Sequence, residues 1–339
     1  MKLIIQIPCY NEADQLAATL DELPRAIEGI DTIEVLIVDD GSRDETVRVA
    51  RARGVDHVVH FAANRGLARA FNAGLDACLR LGAGVIVNTD ADNQYHGADI
   101  VKLVRPILSG EADIVVGDRQ TARLKHFSLM KRVLQRLGSA VVRRAGGIAV
   151  ADAPSGFRAY SRQAALRTVA ITDYSYTLET LISAGHQRLS VVSVPIAVRS
   201  VERPSRLISS IPLYVRRSAA TIIRTYSSYR ALDLFTRIGL VLLLAGAALG
   251  GRFLYFYFQG HGSGRIQSLI LMAILVLMGF QTLLSGILAD QISLNRRLLD
   301  EIIYRTRRVE FGETSIPYMD EAGRSAATEP DDQAGNLSQ

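Results

Sequence analysis

Asp90 and Asp92 flank a single alanine, Ala91, and Gln94 follows two places on. That is three hard oxygen donors in five residues. Such a set suits Mg²⁺ or Mn²⁺, cations that share their remaining positions with phosphates and water. The apolar run Val85–Val87 precedes it and reads as a strand. Carboxylates at i and i+2 project alike where an extended chain ends. Three further groups stand after apolar runs: Tyr10-Asn11-Glu12 behind Pro8, Asp39-Asp40-Gly41-Ser42, and Asp118-Arg119; a polar loop farther on carries Asp152 and Ser155-Gly156-Phe157-Arg158. Asp39 or Asp40 suits an N–H of a base or a ribose hydroxyl. Asp-Asp-Gly-Ser is equally strong turn chemistry. Asn11 suits a helix N-cap as well as a pocket, and Arg119 suits a phosphate or a surface ion pair. The acidic trio reads as a metal–diphosphate site.

Strands must carry these groups to one edge. Apolar runs at 2–8, 33–38, 55–61, 85–88 and 114–117 alternate with helical patterns ending near 27 and 53, then over 65–81 and 97–109. Ser42 with Glu45 three residues on has capping-box spacing. Alternation of this kind predicts an α/β fold with a mainly parallel sheet covered on both faces. In such a sheet the ligand crevice lies beyond the carboxyl ends of the strands. Residues 120–147 read as a basic helix carrying Lys131 and Arg132. Another helix starts near Tyr176, and Val191–Val198 reads as a late strand. Arg199, Arg203 and Arg206 follow it.

The second half is of another character. An amphipathic helix with Arg216, Arg217, Arg224 and Arg230 is predicted from Ile211 to about Asp233, a composition suited to the membrane interface. Residues 238–258 and 266–289 are apolar enough and long enough to cross a hydrocarbon core. Basic residues flank this hairpin on its outer sides, so the positive-inside rule places both ends in the cytoplasm. The expected division is 1–205 catalytic, 206–235 juxtamembrane, 236–290 two transmembrane helices and 291–339 a basic helix with a disordered tail. The chain has 339 residues, 48% of them hydrophobic, and a net charge of +5. The positive charge crowds around 199–237 and 296–308, which fits a membrane surface rather than nucleic acid. Met1–Pro8 is too short for a secretory leader. Cys9 and Cys78 have no metal-type spacing and fit a reducing compartment.

Ile7-Pro8-Cys9-Tyr10-Asn11-Glu12, Val38-Asp39-Asp40-Gly41-Ser42-Arg43-Asp44, Asn64-Arg65-Gly66, Asp90-Ala91-Asp92-Asn93-Gln94 and Ser155-Gly156-Phe157-Arg158 occur in that order. Together they resemble inverting family-2 glycosyltransferases of the GT-A, Rossmann-like fold. Within these the chain is similar to polyprenyl-phosphate glycosyltransferases, the group with dolichol-phosphate mannose synthase and bacterial membrane-anchored members. The resemblance implies a nucleotide site at Pro8, Tyr10, Asn11, Glu12, Asp39, Asp40, Asp90 and Ala91. It implies metal at Asp90, Asp92 and Gln94. Phosphate or acceptor contacts fall to Arg119, Lys131, Arg132, Arg158, Arg203, Ser205 and Arg206, and catalytic roles to Asp92, Asp152 and Arg203. The implied partners are a nucleotide-diphosphate sugar, with UDP favoured over GDP, and a polyprenyl phosphate. The implied location is the cytoplasmic membrane, with several passes, and a homo-oligomer is compatible. Asn93 and Tyr95 depart from the family pattern, as does the glycine-free Arg203-Pro204-Ser205-Arg206. Two rivals share the fold reading: a processive synthase or other transferase to a glycan, and a non-catalytic membrane-tethered scaffold. Processive synthases carry Gln-x-x-Arg-Trp, and this chain has no Trp. A nucleotidyltransferase would need an N-terminal glycine-rich phosphate loop, which is absent from the sequence.

Overall fold

The computed structural model describes residues 1–120, 138–140, 142–144, 146–171, 176–199, 211–260 and 266–312, with side chains except at 211–231 and 296–297. Its strands are β1 (Lys2–Cys9), β2 (Thr32–Asp39), β3 (His57–His60), β4 (Val85–Asn88), β5 (Ile114–Asp118), β6 (Arg158–Ser161) and β7 (Val191–Pro195). They form one sheet in the order β3-β2-β1-β4-β6-β5-β7. β3, β2, β1 and β4 run parallel, as do β5 and β7. β6 is antiparallel to both its neighbours. The sequence reading left β6 in a loop. Four residues led by an arginine carry no strand periodicity, yet β6 joins the two parallel halves of the sheet.

Successive side chains of a strand face opposite ways, and the two cores follow from this. Ile4, Leu36 and Val38 pack under Phe71, Leu75 and Leu79 of α3 (Leu67–Arg80), together with residues of α5 (Arg162–Arg167) and α6 (Tyr176–His186). Leu3, Ile5 and Ile7 pack on the other face. There they meet Leu16 of α1 (Ala13–Asp21), Ala50 of α2 (Thr46–Ala52) and Ile100, Leu103 and Val104 of α4 (Ile100–Leu108). Phe71 and Leu75 are fully buried, and each such side chain stabilises the fold by roughly 1.5–3 kcal/mol.

Two long helices follow. α7 runs unbroken from Ile211 to Phe258, and α8 from Ile266 to Glu310. The predicted interfacial helix and the first apolar span are thus one rod. So are the second span and the basic helix after it. Both rods contain stretches long and apolar enough to cross a membrane, and little of either stretch is buried within the protein. They touch through small residues: a Cβ built on Gly239 would lie 3.0 Å from the Gly279 carbonyl oxygen, and one on Gly279 would lie 3.0 Å from that of Gly239. Close backbone approach at glycine is how apolar helices associate in lipid.

Candidate active site

β1, β2 and β3 end in register, with Cys9 beside Asp39 and Asp39 beside His60. The loops that leave them are joined to one another. Asn11 N–H donates to Ser42 Oγ at 2.9 Å, Glu12 N–H to Thr46 Oγ1 at 2.9 Å, and Asn11 Oδ1 accepts from Arg43 N–H at 2.8 Å. These bonds correct two expectations. Asn11 does not cap α1, and Ser42 does not cap α2, whose N-cap is Glu45. Both side chains instead tie the first loop to the second.

Asp39 and Asp40 are buried and serve different walls. Asp40 accepts from the backbone N–H groups of Arg65 and Gly66 at 2.7 and 2.9 Å. That clamp sets the start of α3. Asp39 accepts from Ser42 N–H, and its Oδ2 lies 2.7 Å from His60 Nδ1. The His60 ring is half exposed, so it is the face this pair presents. Tyr10 is exposed at the same edge.

The acidic loop follows β4. Asp92 Oδ1 accepts from Gln94 N–H at 3.1 Å, closing a tight turn. Asn93 sits at φ 56°, a left-handed conformation that asparagine tolerates. Asn11 at 52° and Gln120 at 47° make three of the four described non-glycine residues with positive φ, and all three follow strands at this crevice. Clustered backbone strain of this kind marks functional sites. Arg199 braces the loop from outside. Its Nη1 donates to Asn93 Oδ1 at 2.6 Å, its Nη2 lies 2.9 Å from His96 Nδ1, and it pairs with Glu22 at 2.8 Å. Tyr95 stacks on Phe157 at 4.7 Å. Two of the departures from the family pattern, Asn93 and Tyr95, are therefore the points where Arg199 and Phe157 grip the loop. The sequence reading did not assign Arg199 to the site. Its position at the head of the basic segment was the one available signal.

Burial first and the Asp92 charge second push the Asp90 carboxyl up, to about 7, against a smaller opposing pull from Arg119. Two carboxylates held close in a half-buried crevice repel unless a cation lies between them. Among the described residues no group of three or more His, Cys, Asp or Glu could hold a metal. The two carboxylates could hold Mg²⁺ or Mn²⁺, ions that keep positions for phosphate and water. Gly156 borders the same space. A Cβ there would lie 3.4 Å from both Asp90 carboxylate oxygens and 3.2 Å from the Tyr176 hydroxyl. A buried chain from Gln6 to Asn88 to the Gly156 carbonyl, with bonds of 2.9 and 2.8 Å, holds that loop in place.

Arg119 and Asp152 form the opposite wall. Arg119 donates Nε–H to Asp152 Oδ2 at 2.7 Å and Nη2–H to Oδ1 at 3.0 Å. Asp152 is fully buried, while 15% of the Arg119 side chain is exposed. Asp152 thus reaches the crevice through Arg119. The expectation that Arg158 meets a phosphate is corrected. It is fully buried, and its guanidinium donates to the carbonyls of Ser155, Ala153 and Thr177 and to Thr180 Oγ1 at 2.7–3.0 Å. It holds the Ser-Gly-Phe loop against α6 and has no open side for a phosphate. Lys131, Arg132, Arg203, Ser205 and Arg206 lie outside the described residues.

Residues 4–167 match the model for Glycosyl transferase family 2. The chain is 32% identical over 200 residues to an uncharacterized protein of Methanocaldococcus jannaschii, covering 58% of this chain and 80% of that one. It is 30% identical to an undecaprenyl-phosphate mannosyltransferase of Micrococcus luteus, covering 60% and 85%. It is 29% identical to a polyprenol monophosphomannose synthase of Mycolicibacterium smegmatis, covering 58% and 76%. The fold is similar to that of glucosyl-3-phosphoglycerate synthase from Mycobacterium tuberculosis, crystallised with Mn²⁺ and UDP. That match has a TM-score of 0.53 at 22% identity and covers 66% of this chain and 79% of that one.

Proposed function

The chain belongs to glycosyl transferase family 2, and from that premise we propose that it moves a sugar from a nucleotide diphosphate to a polyprenyl phosphate at the cytoplasmic face of a membrane. The observation that carries this reading is the pairing of a two-carboxylate crevice with two membrane-length helices on one chain. The relatives named for undecaprenyl and polyprenol acceptors support the lipid. A relative from Methanococcus voltae, named as a UDP-N-acetylglucosamine–dolichyl-phosphate transferase and 29% identical, supports a UDP-sugar. We assign residues 1–205 to catalysis, 206–235 to the membrane surface and 236–290 to two spans, with both ends cytoplasmic.

The chemistry asks little of the protein as a base. A lipid phosphate is already anionic at neutral pH and needs no strong proton acceptor to attack the anomeric carbon. Asp152, engaged on both oxygens by Arg119, is consistent with that. Asp90, Asp92 and Gln94 would hold Mg²⁺ or Mn²⁺. Bound there, the ion stabilises the charge that gathers on the departing nucleotide diphosphate. Arg119 offers its guanidinium to a phosphate at the crevice, a geometry arginine suits. The joined loops after β1, β2 and β3 hold the nucleotide, and a single in-line displacement inverts the anomeric centre.

Purified protein in detergent, given polyprenyl phosphate, Mg²⁺ or Mn²⁺ and a panel of nucleotide sugars, tests this. A sugar-phospholipid that disappears with Asp92→Ala supports the reading and identifies the donor. Nucleotide diphosphate release without glycolipid moves the acceptor to a glycan. No turnover of any donor, with no metal-dependent nucleotide binding, leaves a scaffold.

A further inference from the structure

The end of α8 folds back onto the catalytic domain, far in sequence from everything it touches. Arg307 is buried there. Its Nη1 donates to the carbonyls of Ala165, Leu166 and Thr168 at 3.0–3.1 Å, and its Nη2 pairs with Asp76. These carbonyls close the C-terminus of α5, where helices lack internal donors and favour positive charge. Neighbouring contacts reinforce the seat. Tyr304 hydroxyl donates to Gln163 Oε1 at 2.9 Å, and the Arg167 guanidinium lies 4.0 Å from the Tyr304 ring centroid. Glu310 pairs with Arg80, and Arg162 donates to the Phe311 carbonyl at 3.2 Å.

The direction of these contacts matters. From Arg307 to Glu310 the partners on α3 move from Asp76 to Arg80. The two helices therefore run the same way here. α3 starts at the crevice, where Asp40 holds Gly66, and ends beside the loop that feeds β4. α8 thus descends along the domain from its crevice side, and its apolar stretch lies on that side. At 1.5 Å per residue, Asp290 lies about 26 Å up the helix from Arg307, and Gly66 about 15 Å up α3 from Asp76. Taken along the axes, the crevice rim stops about 11 Å short of the apolar span.

We infer that Arg307 is a positioning residue: by seating the end of α8 on α3 and α5 it sets the height and facing of the crevice against the bilayer, and so controls transfer to an acceptor held in that bilayer. It touches neither substrate. The inference rests on the proposed lipid acceptor for its kinetic consequence and on geometry alone for its structural one. A small displacement of a reacting group costs up to about a hundredfold in rate, so the loss reads in bilayer-bound transfer and spares the donor site.

The test uses the full chain in liposomes holding polyprenyl phosphate, beside the same protein in detergent with a short, water-soluble prenyl phosphate. Arg307→Ala is expected to lower liposome kcat/KM by about tenfold or more, with nucleotide affinity and the detergent rate within about twofold of wild type. Arg307→Lys, which keeps a charge for Asp76 but cannot span three carbonyls, falls between. The exposed pair Arg80→Ala/Glu310→Ala, which leaves the buried seat intact, gives a smaller loss of the same bilayer-specific kind. A dye on Arg43→Cys, selective because Cys9 and Cys78 are buried, is quenched by headgroup-labelled lipid in wild type and less so in Arg307→Ala. Equal activity in liposomes, or equal loss in both assays, overturns the inference, as does unchanged quenching. If wild type makes no glycolipid in either assay, the acceptor reading fails, and the quenching result alone decides whether Arg307 sets the height of the crevice.

Discussion

The two walls of the crevice are built differently. On the β1–β3 side, neutral backbone amides meet side-chain oxygens: Asn11 to Ser42, Glu12 to Thr46, and Arg65 with Gly66 to Asp40. On the β5–β6 side a single buried ion pair, Arg119 with Asp152, does the comparable work. Many modest bonds make a wall that tolerates the loss of any one. One buried ion pair makes a wall that fails when either partner goes. The first wall suits a nucleotide, which needs a fixed shape. The second keeps a strong charge at the crevice.

The acidic loop between the walls gives the largest expected effect. Asp90→Asn should lower sugar transfer by roughly a thousandfold or more, as loss of metal-held charge stabilisation requires. The same change should raise Tm at pH 8 in the presence of a chelator. Folding raises the Asp90 carboxyl to about 7. Its ionised form is thus a cost to the folded state, fully present above pH 7 and absent below about 4. Calorimetry should find the Tm gain shrinking as pH falls from 8 to 5, and a gain independent of pH would contradict the assigned cause.

Next comes the ion-pair wall. Arg119→Ala leaves Asp152 buried and uncompensated, and urea unfolding should show a loss of about 3–5 kcal/mol. Arg119→Met with Asp152→Leu should restore most of that stability and none of the transfer. If Arg119→Ala unfolds no more easily than wild type, the contrast between the walls is lost. On the other side, Asp40→Ala frees two backbone donors and should cost about 1–3 kcal/mol, with a several-fold rise in KM for the nucleotide sugar and little change in kcat.

The smallest effect concerns Asp44. Burial pulls its carboxyl upward, but the Thr46 hydroxyl and the amides of Ala13 and Thr46 outweigh it and hold the group below its ordinary range. A depressed carboxyl contributes stability above its ordinary pKa and loses it as pH falls through the lowered value. Asp44→Asn should therefore lower the urea midpoint slightly at pH 6 and make no difference near pH 2.

The strands that end at the crevice were legible because parallel strands buried on both faces read as apolar runs. The groups after them were legible by type, since Asp, Asn and Arg at strand ends stand out. Their partners were not. Asn11 and Ser42 obey local capping rules in sequence, yet each bonds to a loop some thirty residues away, and no local window contains that alternative. Arg158 reads as a free cation in a Ser-Gly-Phe-Arg motif. Only the antiparallel insertion of β6 shows that it is walled in. Asp152 was found by its place before that motif, but a buried carboxylate and an exposed one look the same in sequence.

The seat of Arg307 also has a consequence for biosynthesis. Its carbonyl partners at the end of α5 and on the Thr168 that caps it lie 139–142 residues upstream, and Asp76 lies 231 upstream. Ribosomes deliver the sheet first and both apolar rods afterwards, so the contact that closes the C-terminus of α5 forms only when the second rod has been made. Contacts of such separation form late, after their loop entropy has been met by earlier structure. A chain halted before residue 304 therefore carries its sheet with that seat still open, and the domain is completed only by the end of the second rod.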